Sequence, residues 1–260
     1  MWLSWPCSRG LARLNSKYVA HDCTQDNHQH IVDIFSKFNN FVLKMAPILA
    51  YWDIRGLAQP IRYLLAYTGI EYEDKGYTFG PPPDYNPEDW LKEKENLGLD
   101  FPNLPYFIDG DTKITQSSAI IRYIARKHNL CGETDEEKTI VDMIENCIID
   151  LRNGFVRLCY SSDFDKLVDG YKKNVVEKLD RFEKFLGGKK YLAGDKVTYP
   201  DFMLYEMLDQ HKIFDKKLVE PFKKLMQYCE SIEAIPQIAE YKKSNKFQER
   251  TLNGAMASFK

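Results

Sequence analysis

The hydrophobic rhythm of this chain changes once, near residue 130, and that change limits the fold more than any other feature. Before it, short apolar runs of strand length alternate with helical ones. Residues 47–52 (PILAYW) read as a strand, and residues 58–67 as a helix with Pro60 in its first turn, where N–H groups have no helical partner. Gly69 is a natural helix stop, and residues 70–75 are predicted to return as a second strand, completing a βαβ unit. Residues 79–90 (FGPPPDYNPEDW) carry four prolines and are predicted to be a stiff loop. A strand over 104–108, a turn at Asp109-Gly110-Asp111, a strand over 112–115 and a helix over 116–128 follow. Beyond Thr134 only the helical period persists, over 134–160, 164–186, 199–210, 217–232 and 236–243. Thr198 and Asp201 are spaced as the two arms of a capping box.

The expected fold is therefore a small α/β domain over residues 45–128 and an all-helical domain over 129–260. The element order of the first part is thioredoxin-like. Yet none of the six cysteines, Cys7, Cys23, Cys131, Cys147, Cys159 and Cys229, forms a C-x-x-C pair, so dithiol chemistry is not expected. Such a fold still offers a surface for an extended thiol peptide. A formal charge of −2 on 260 residues, with acids and bases mixed, gives no field of one sign for nucleic acid or an anionic membrane. No apolar run is long enough for a transmembrane helix. The cysteines read as free thiols in a reducing compartment, and no metal site is expected. Residues 1–44 read differently. They lack the apolar core of a secretory signal, and the acids and His21, His28 and His30 argue against an organellar presequence. They are read as a disordered or artefactual extension.

Three long stretches carry a family resemblance: AYWDIRGLAQPIRYLL (50–65), LGLDFPNLPYFIDGDTKITQSSAIIRYIARKHNLCGET (97–134) and YLAGDKVTYPDFMLYE (191–206). Together they resemble the mu-class glutathione transferases over about residues 46–245. The Pro-rich segment 79–87 resembles the loop that marks that class, and residues 1–44 have no counterpart. The resemblance implies the glutathione transferase fold, with the electrophile site on the helical domain, and a cytoplasmic homodimer. It also implies glutathione as co-substrate, no other cofactor, and hydrophobic electrophiles as second substrates.

Glutathione presents two carboxylates, an amine and a thiol, and a site must match all four while favouring the thiolate. The resemblance makes Tyr51 the phenol that donates to the sulfur; Ala50 stands where the family usually has Gly. It makes Asn103, Leu104 and Pro105 a cis-proline segment that pairs with the cysteinyl backbone, and Gln116 and Ser117 a helix start that binds the γ-glutamyl carboxylate. Trp52, Trp90 and Lys94 are assigned to the glycyl carboxylate, and Leu57 to the peptide as well. Asp150 is assigned to the γ-glutamyl amine, reached from the partner subunit. Ile54, Leu57, Arg152, Asn153, Val156 and Tyr160 would surround the electrophile, with Tyr160 able to donate a hydrogen bond to the leaving group. Phe101 would enter a pocket of the second subunit, and Arg122 and Asp142 would pair across the same interface. A different class of function, a carrier of hydrophobic ligands with little turnover, would retain every one of these residues. Nucleotide-binding, zinc-protease and serine-hydrolase motifs are absent.

Overall fold

The computed structural model describes residues 46–248 and 250–260. The readings made above for residues 1–44, including the histidine group, lie outside the described residues. The described residues form one compact unit.

Strand β1 (Ile48–Trp52) is central and buried over Leu49, Ala50 and Tyr51. It pairs in parallel with β2 (Glu73–Tyr77) and antiparallel with β3 (Tyr106–Asp109), which pairs with β4 (Thr112–Thr115), so the sheet order is β2-β1-β3-β4. Helix α1 (Gln59–Thr68) has Pro60 in its first turn and ends on Gly69 at φ 68°, a conformation that costs glycine little. Helix α2 (Glu88–Glu93), a short 3₁₀ turn (Lys94–Asn96) and α3 (Ser117–Lys127) complete the α/β part. The helical part is α4 (Asp135–Cys159), α5 (Phe164–Leu186), α6 (Tyr199–Asp215), α7 (Lys223–Glu233), α8 (Pro236–Lys243) and α9 (Asn245–Gln248). Helix α6 is buried almost all round and is the shared core: α1, α3 and α4 all pack on it.

Four boundaries differ from expectation. The second strand begins at Glu73, not at residue 70, because the ladder opens where the Glu73 N–H meets the Pro47 carbonyl at 2.8 Å. The third strand begins at Tyr106: Pro105 follows a cis peptide bond and has no N–H for the ladder. The Pro-rich segment gives way to helix at Glu88, because Pro87 stands outside the first turn and Glu88 and Asp89 complement the N-terminal dipole. The expected helix over 217–232 is split into a 3₁₀ turn (Lys216–Leu218) and α7, since Pro221 pushes Glu220 away from helical geometry.

The cap at α6 is as expected and firmer than two residues suggest. The buried Asp201 carboxylate accepts from the Thr198 N–H (2.8 Å), the Thr198 hydroxyl (2.9 Å), the Leu192 N–H (2.9 Å) and the Tyr228 hydroxyl (2.9 Å). A second capping box, Thr134 with Glu137, opens α4. Its T-x-x-E spacing was visible in the sequence.

Candidate active site

Tyr51 sits on β1 opposite Gly76 and is only 6% exposed. Burial raises its phenol pKa; the Leu57 N–H aimed at the oxygen and the positive charges of Arg152 and Arg62 pull the other way. The net direction is upward, so the hydroxyl keeps its proton at neutral pH and acts as a donor. The loop that turns from β1 into α1 passes directly beneath it. Gly56 has φ +41°, and a Cβ there would lie 2.6 Å from Tyr51 Cε1 and 2.9 Å from the hydroxyl oxygen. Only glycine fits that contact.

A cleft of about 110 Å³ opens beside this loop, between α1 and α3 on one side and α4 and α6 on the other. Leu57, Pro60, Ser117, Arg152, Asn153 and Met203 are among its lining residues. Arg152 has no hydrogen-bonded or ionic partner among the described residues, and burial draws its pKa down. It is a charge held inside an apolar cleft with its donors unspent. Ser117 opens α3, whose first N–H groups lack helical partners. Gln116, just before it, holds φ 72° and ψ 115°. A non-glycine residue in that region costs about 1–3 kcal/mol and persists where the surroundings over-determine it.

The cis bond implied at Leu104–Pro105 is present. The Leu104 N–H donates to Asn103 Oδ1 at 2.8 Å. Trp52 stacks on Phe79 at 4.1 Å, which seats the Pro-rich loop beside the end of β1. Trp90 is less accessible than its expected ligand role suggests. It is 8% exposed and packs on Tyr77 and Tyr106, so much of its ring serves the core. Lys94 falls on the 3₁₀ turn after α2 and pairs with Glu95 at 3.4 Å.

On the electrophile side, Val156 lies on α4 and Tyr160 caps that helix with its ring partly exposed. The Tyr160 hydroxyl accepts from the Gly254 N–H at 2.8 Å, which leaves its own proton free to donate. Ile54 pairs with Thr251 in an isolated parallel bridge.

Asp150 is not brought to this cleft. It lies on the outer face of α4, in a separate pocket of about 270 Å³ with Met143, Ile144, Cys147, Phe182 and Phe185. Phe101 projects from the loop before Pro102 and is 77% exposed. Within one chain Arg122 already lies 3.6 Å from Asp142 and pairs more closely, at 2.6 Å, with the fully buried Glu145, which also accepts from the Tyr199 hydroxyl. Glu145 won because it is buried and needs a cation, whereas Asp142 is solvated.

The loop and the cleft wall also reveal residues that sequence reasoning missed. Arg55 is 3% exposed; its Nε donates to Glu206 at 3.0 Å, and its Nη2 lies 2.5 Å from Glu206 and 2.7 Å from Asp209. Burial opposes its charge, but the two carboxylates more than compensate and raise its pKa. No periodicity marks an arginine whose partners lie more than 150 residues away.

A buried phenol on the first strand sits over a loop that, with a serine-led helix, lines a cleft roofed by helices; a cis-proline turn leads into the third strand, and known proteins share this plan. The description "Glutathione S-transferase, N-terminal domain" matches residues 47–126, and "Glutathione S-transferase, C-terminal domain" matches residues 149–245. The chain belongs to the glutathione S-transferase family. Within it, the similar curated proteins are of the mu class. Glutathione S-transferase Mu 1 of Bos taurus is 53% identical over 203 residues, 78% of this chain and 93% of that protein. Glutathione S-transferase Mu 5 of Homo sapiens is 51% identical, over 83% of this chain and 99% of that protein. Among solved structures, glutathione S-transferase Blo t 8 superposes with a TM-score of 0.75 at 36% identity, covering 81% of this chain and 98% of its own. A pi-class glutathione S-transferase of Onchocerca volvulus gives 0.73 at 32% identity, covering 82% and 100%. The two matched descriptions divide this mu-class transferase along the same line as its change of rhythm, although its described residues pack as one body.

Proposed function

We propose that this mu-class chain transfers the thiolate of glutathione to hydrophobic electrophiles, with Tyr51 as the donor that favours the thiolate. The observation that carries this is the Tyr51 hydroxyl: buried, kept protonated, seated on the Gly56 loop and standing next to an apolar cleft. A free thiol with a pKa of about 8.5 is only a few per cent ionised at pH 7. A phenol O–H donated to the sulfur stabilises the anion over the thiol, and lowering the pKa by about two units requires about 2.7 kcal/mol.

The peptide lies along the cis-proline turn, its cysteinyl backbone paired with Leu104. The N-terminus of α3, with Gln116 and Ser117, takes the γ-glutamyl carboxylate. Trp52, Lys94 and the edge of Trp90 take the glycyl carboxylate. The thiol proton leaves to solvent, and the sulfur lone pair then forms the carbon–sulfur bond as a halide departs, or adds to an activated double bond. Ile54, Leu57 and Val156 give the electrophile an apolar seat. Arg152 and the Tyr160 hydroxyl supply donors for negative charge that develops on it.

The test is conjugation of glutathione to a chlorinated dinitrobenzene. A rate well above the uncatalysed background is expected; a rate equal to background with folded protein that binds glutathione would leave only a carrier of hydrophobic ligands.

The site is completed by a second copy. Asp150 points away from its own cleft, and Phe101 is an exposed aromatic with an apolar pocket of suitable kind on the same chain. In a two-fold dimer each Phe101 fills the partner's pocket and each Asp150 reaches the γ-glutamyl amine bound to the other chain. Burying one such ring contributes about 3 kcal/mol, twice per dimer. Phe101→Ser is therefore expected to shift the protein to monomer at micromolar concentration in analytical ultracentrifugation; an unchanged dimer would remove Phe101 from the interface. The proposed setting is cytoplasmic detoxification, consistent with free thiols among the described cysteines and with no described helix long and apolar enough to cross a membrane.

A further inference from the structure

The loop beneath Tyr51 spends two consecutive backbone N–H groups on the far end of the chain. The Arg55 N–H donates to the Thr251 carbonyl at 2.8 Å, and the Gly56 N–H to the Leu252 carbonyl at 3.2 Å. Gly56 itself is the floor of the phenol: a Cβ there would lie 2.6 Å from the Tyr51 ring and 2.9 Å from its hydroxyl oxygen. The segment that supports the phenol is thus itself held by the C-terminal tail.

The tail is well anchored. Arg250 pairs with Asp53 at 3.2 Å and with the buried Asp74 at 3.0 Å. Leu252 and Asn253 are each 5% exposed. The Thr251 hydroxyl donates to the Asn253 carbonyl, and Asn253 Nδ2 donates to the Phe259 carbonyl at 3.0 Å, which folds the tail back on itself. Phe259 packs edge-on against Phe214 at 5.1 Å, and the Ser258 N–H donates to the Cys159 carbonyl at 2.7 Å. The tail therefore grips the end of α4 and the loop under Tyr51 at once.

We propose that residues 251–254 are a positioning element for thiol activation: the Thr251 and Leu252 carbonyls fix the loop whose Gly56 lies against the Tyr51 ring and hydroxyl. The placement of the phenol matters because a hydrogen bond to the sulfur weakens steeply as its angle closes. Gly56 makes the alignment vulnerable. Without a side chain it has more accessible backbone states than any other residue, so its conformation must be imposed from outside. The two tail carbonyls and the Arg55 side chain impose it. None of residues 251–254 needs to touch glutathione for this role.

The inference rests on Tyr51 activating the thiol. The test is the pKa of the glutathione thiol bound to the protein, read from thiolate ultraviolet absorbance against pH, with glutathione affinity and circular dichroism alongside. Full-length Asn253→Ala, which releases the tail's internal tie, is expected to raise the bound-thiol pKa by about half a unit, about 1.5-fold less thiolate at pH 7. A chain ending at Arg250 is expected to raise it by about one unit, with kcat lowered and KM for glutathione within a few-fold. Ser258→Ala, which removes the tail's hydroxyl bond to the Ser161 carbonyl but keeps the pairing with Arg55 and Gly56, is expected to leave the bound-thiol pKa at its intact value. A lowered thiol pKa in the intact protein that is unchanged in folded Asn253→Ala and in the shortened chain overturns the tail's role alone. If the shortened chain does not fold, Asn253→Ala decides. An intact protein that binds glutathione without lowering its thiol pKa overturns the role of Tyr51, and the tail's with it.

Discussion

Tyr51→Phe is expected to raise the pKa of bound glutathione by about two units, back toward the value of a free thiol, and to lower kcat/KM by about 25-fold at pH 7 and about 100-fold well below the intact protein's inflection. The ring and its packing under Gly56 survive the change, so glutathione affinity should stay within a few-fold. The loss is specific to ionisation, and the pH–rate profile identifies it. The lower inflection should move up by the same two units, and at high pH, where the thiol ionises unaided, the two proteins should converge. A large loss of affinity with an unmoved inflection would contradict the assigned role, since it would mean that the hydroxyl holds the peptide and not the anion.

The largest effect on stability is expected at Arg55, a residue with no place in the chemistry. Arg55→Met removes the cation from between two acids that are 1% and 12% exposed in their side chains. Glu206 is then left with only the Gln210 amide, 2.6 Å away, and burial already pushes its pKa upward. Breaking a buried pair in this way costs about 3–5 kcal/mol, because the uncompensated charge must be protonated or hydrated. Urea denaturation should show a lower midpoint with little change in slope. Arg55→Lys keeps the charge but loses the fork that spans both acids, and should lie between the two. Removing Glu206 together with Arg55, as Met and Leu, should recover most of the loss, since the desolvation cost disappears with the pair. A loss below about 1 kcal/mol in Arg55→Met would show that the acids find other partners, with Lys212, 3.8 Å from Asp209, the nearest candidate.

The elements were legible wherever their cause is local. Pro60 and Gly69 bracket α1 because a fixed φ suits a first turn and a left-handed residue suits a stop. Thr198 and Asp201 open α6 because a carboxylate three residues on can reach back to the cap. The misplaced boundaries at Glu73, Tyr106 and Glu88 belong to residues whose state depends on a neighbouring strand or on where a proline's constraint ends. The candidate glutathione-site residues were proposed by resemblance, because they cluster in a few short segments.

The chain's change from mixed to purely helical rhythm, its helix caps and its candidate phenol at Tyr51 were determined by the sequence, since each depends on residues within a few positions of one another. Only the tertiary structure decided what surrounds that phenol. Gly56 comes back under the hydroxyl, and the loop that carries it is held by Arg55 locked to Glu206 on α6 and by Thr251 and Leu252 from the far end of the chain, contacts across some 150 to 200 residues. Their partners are chosen by burial: a desolvated N–H or guanidinium must find an acceptor in three dimensions, and no local pattern states which one it finds.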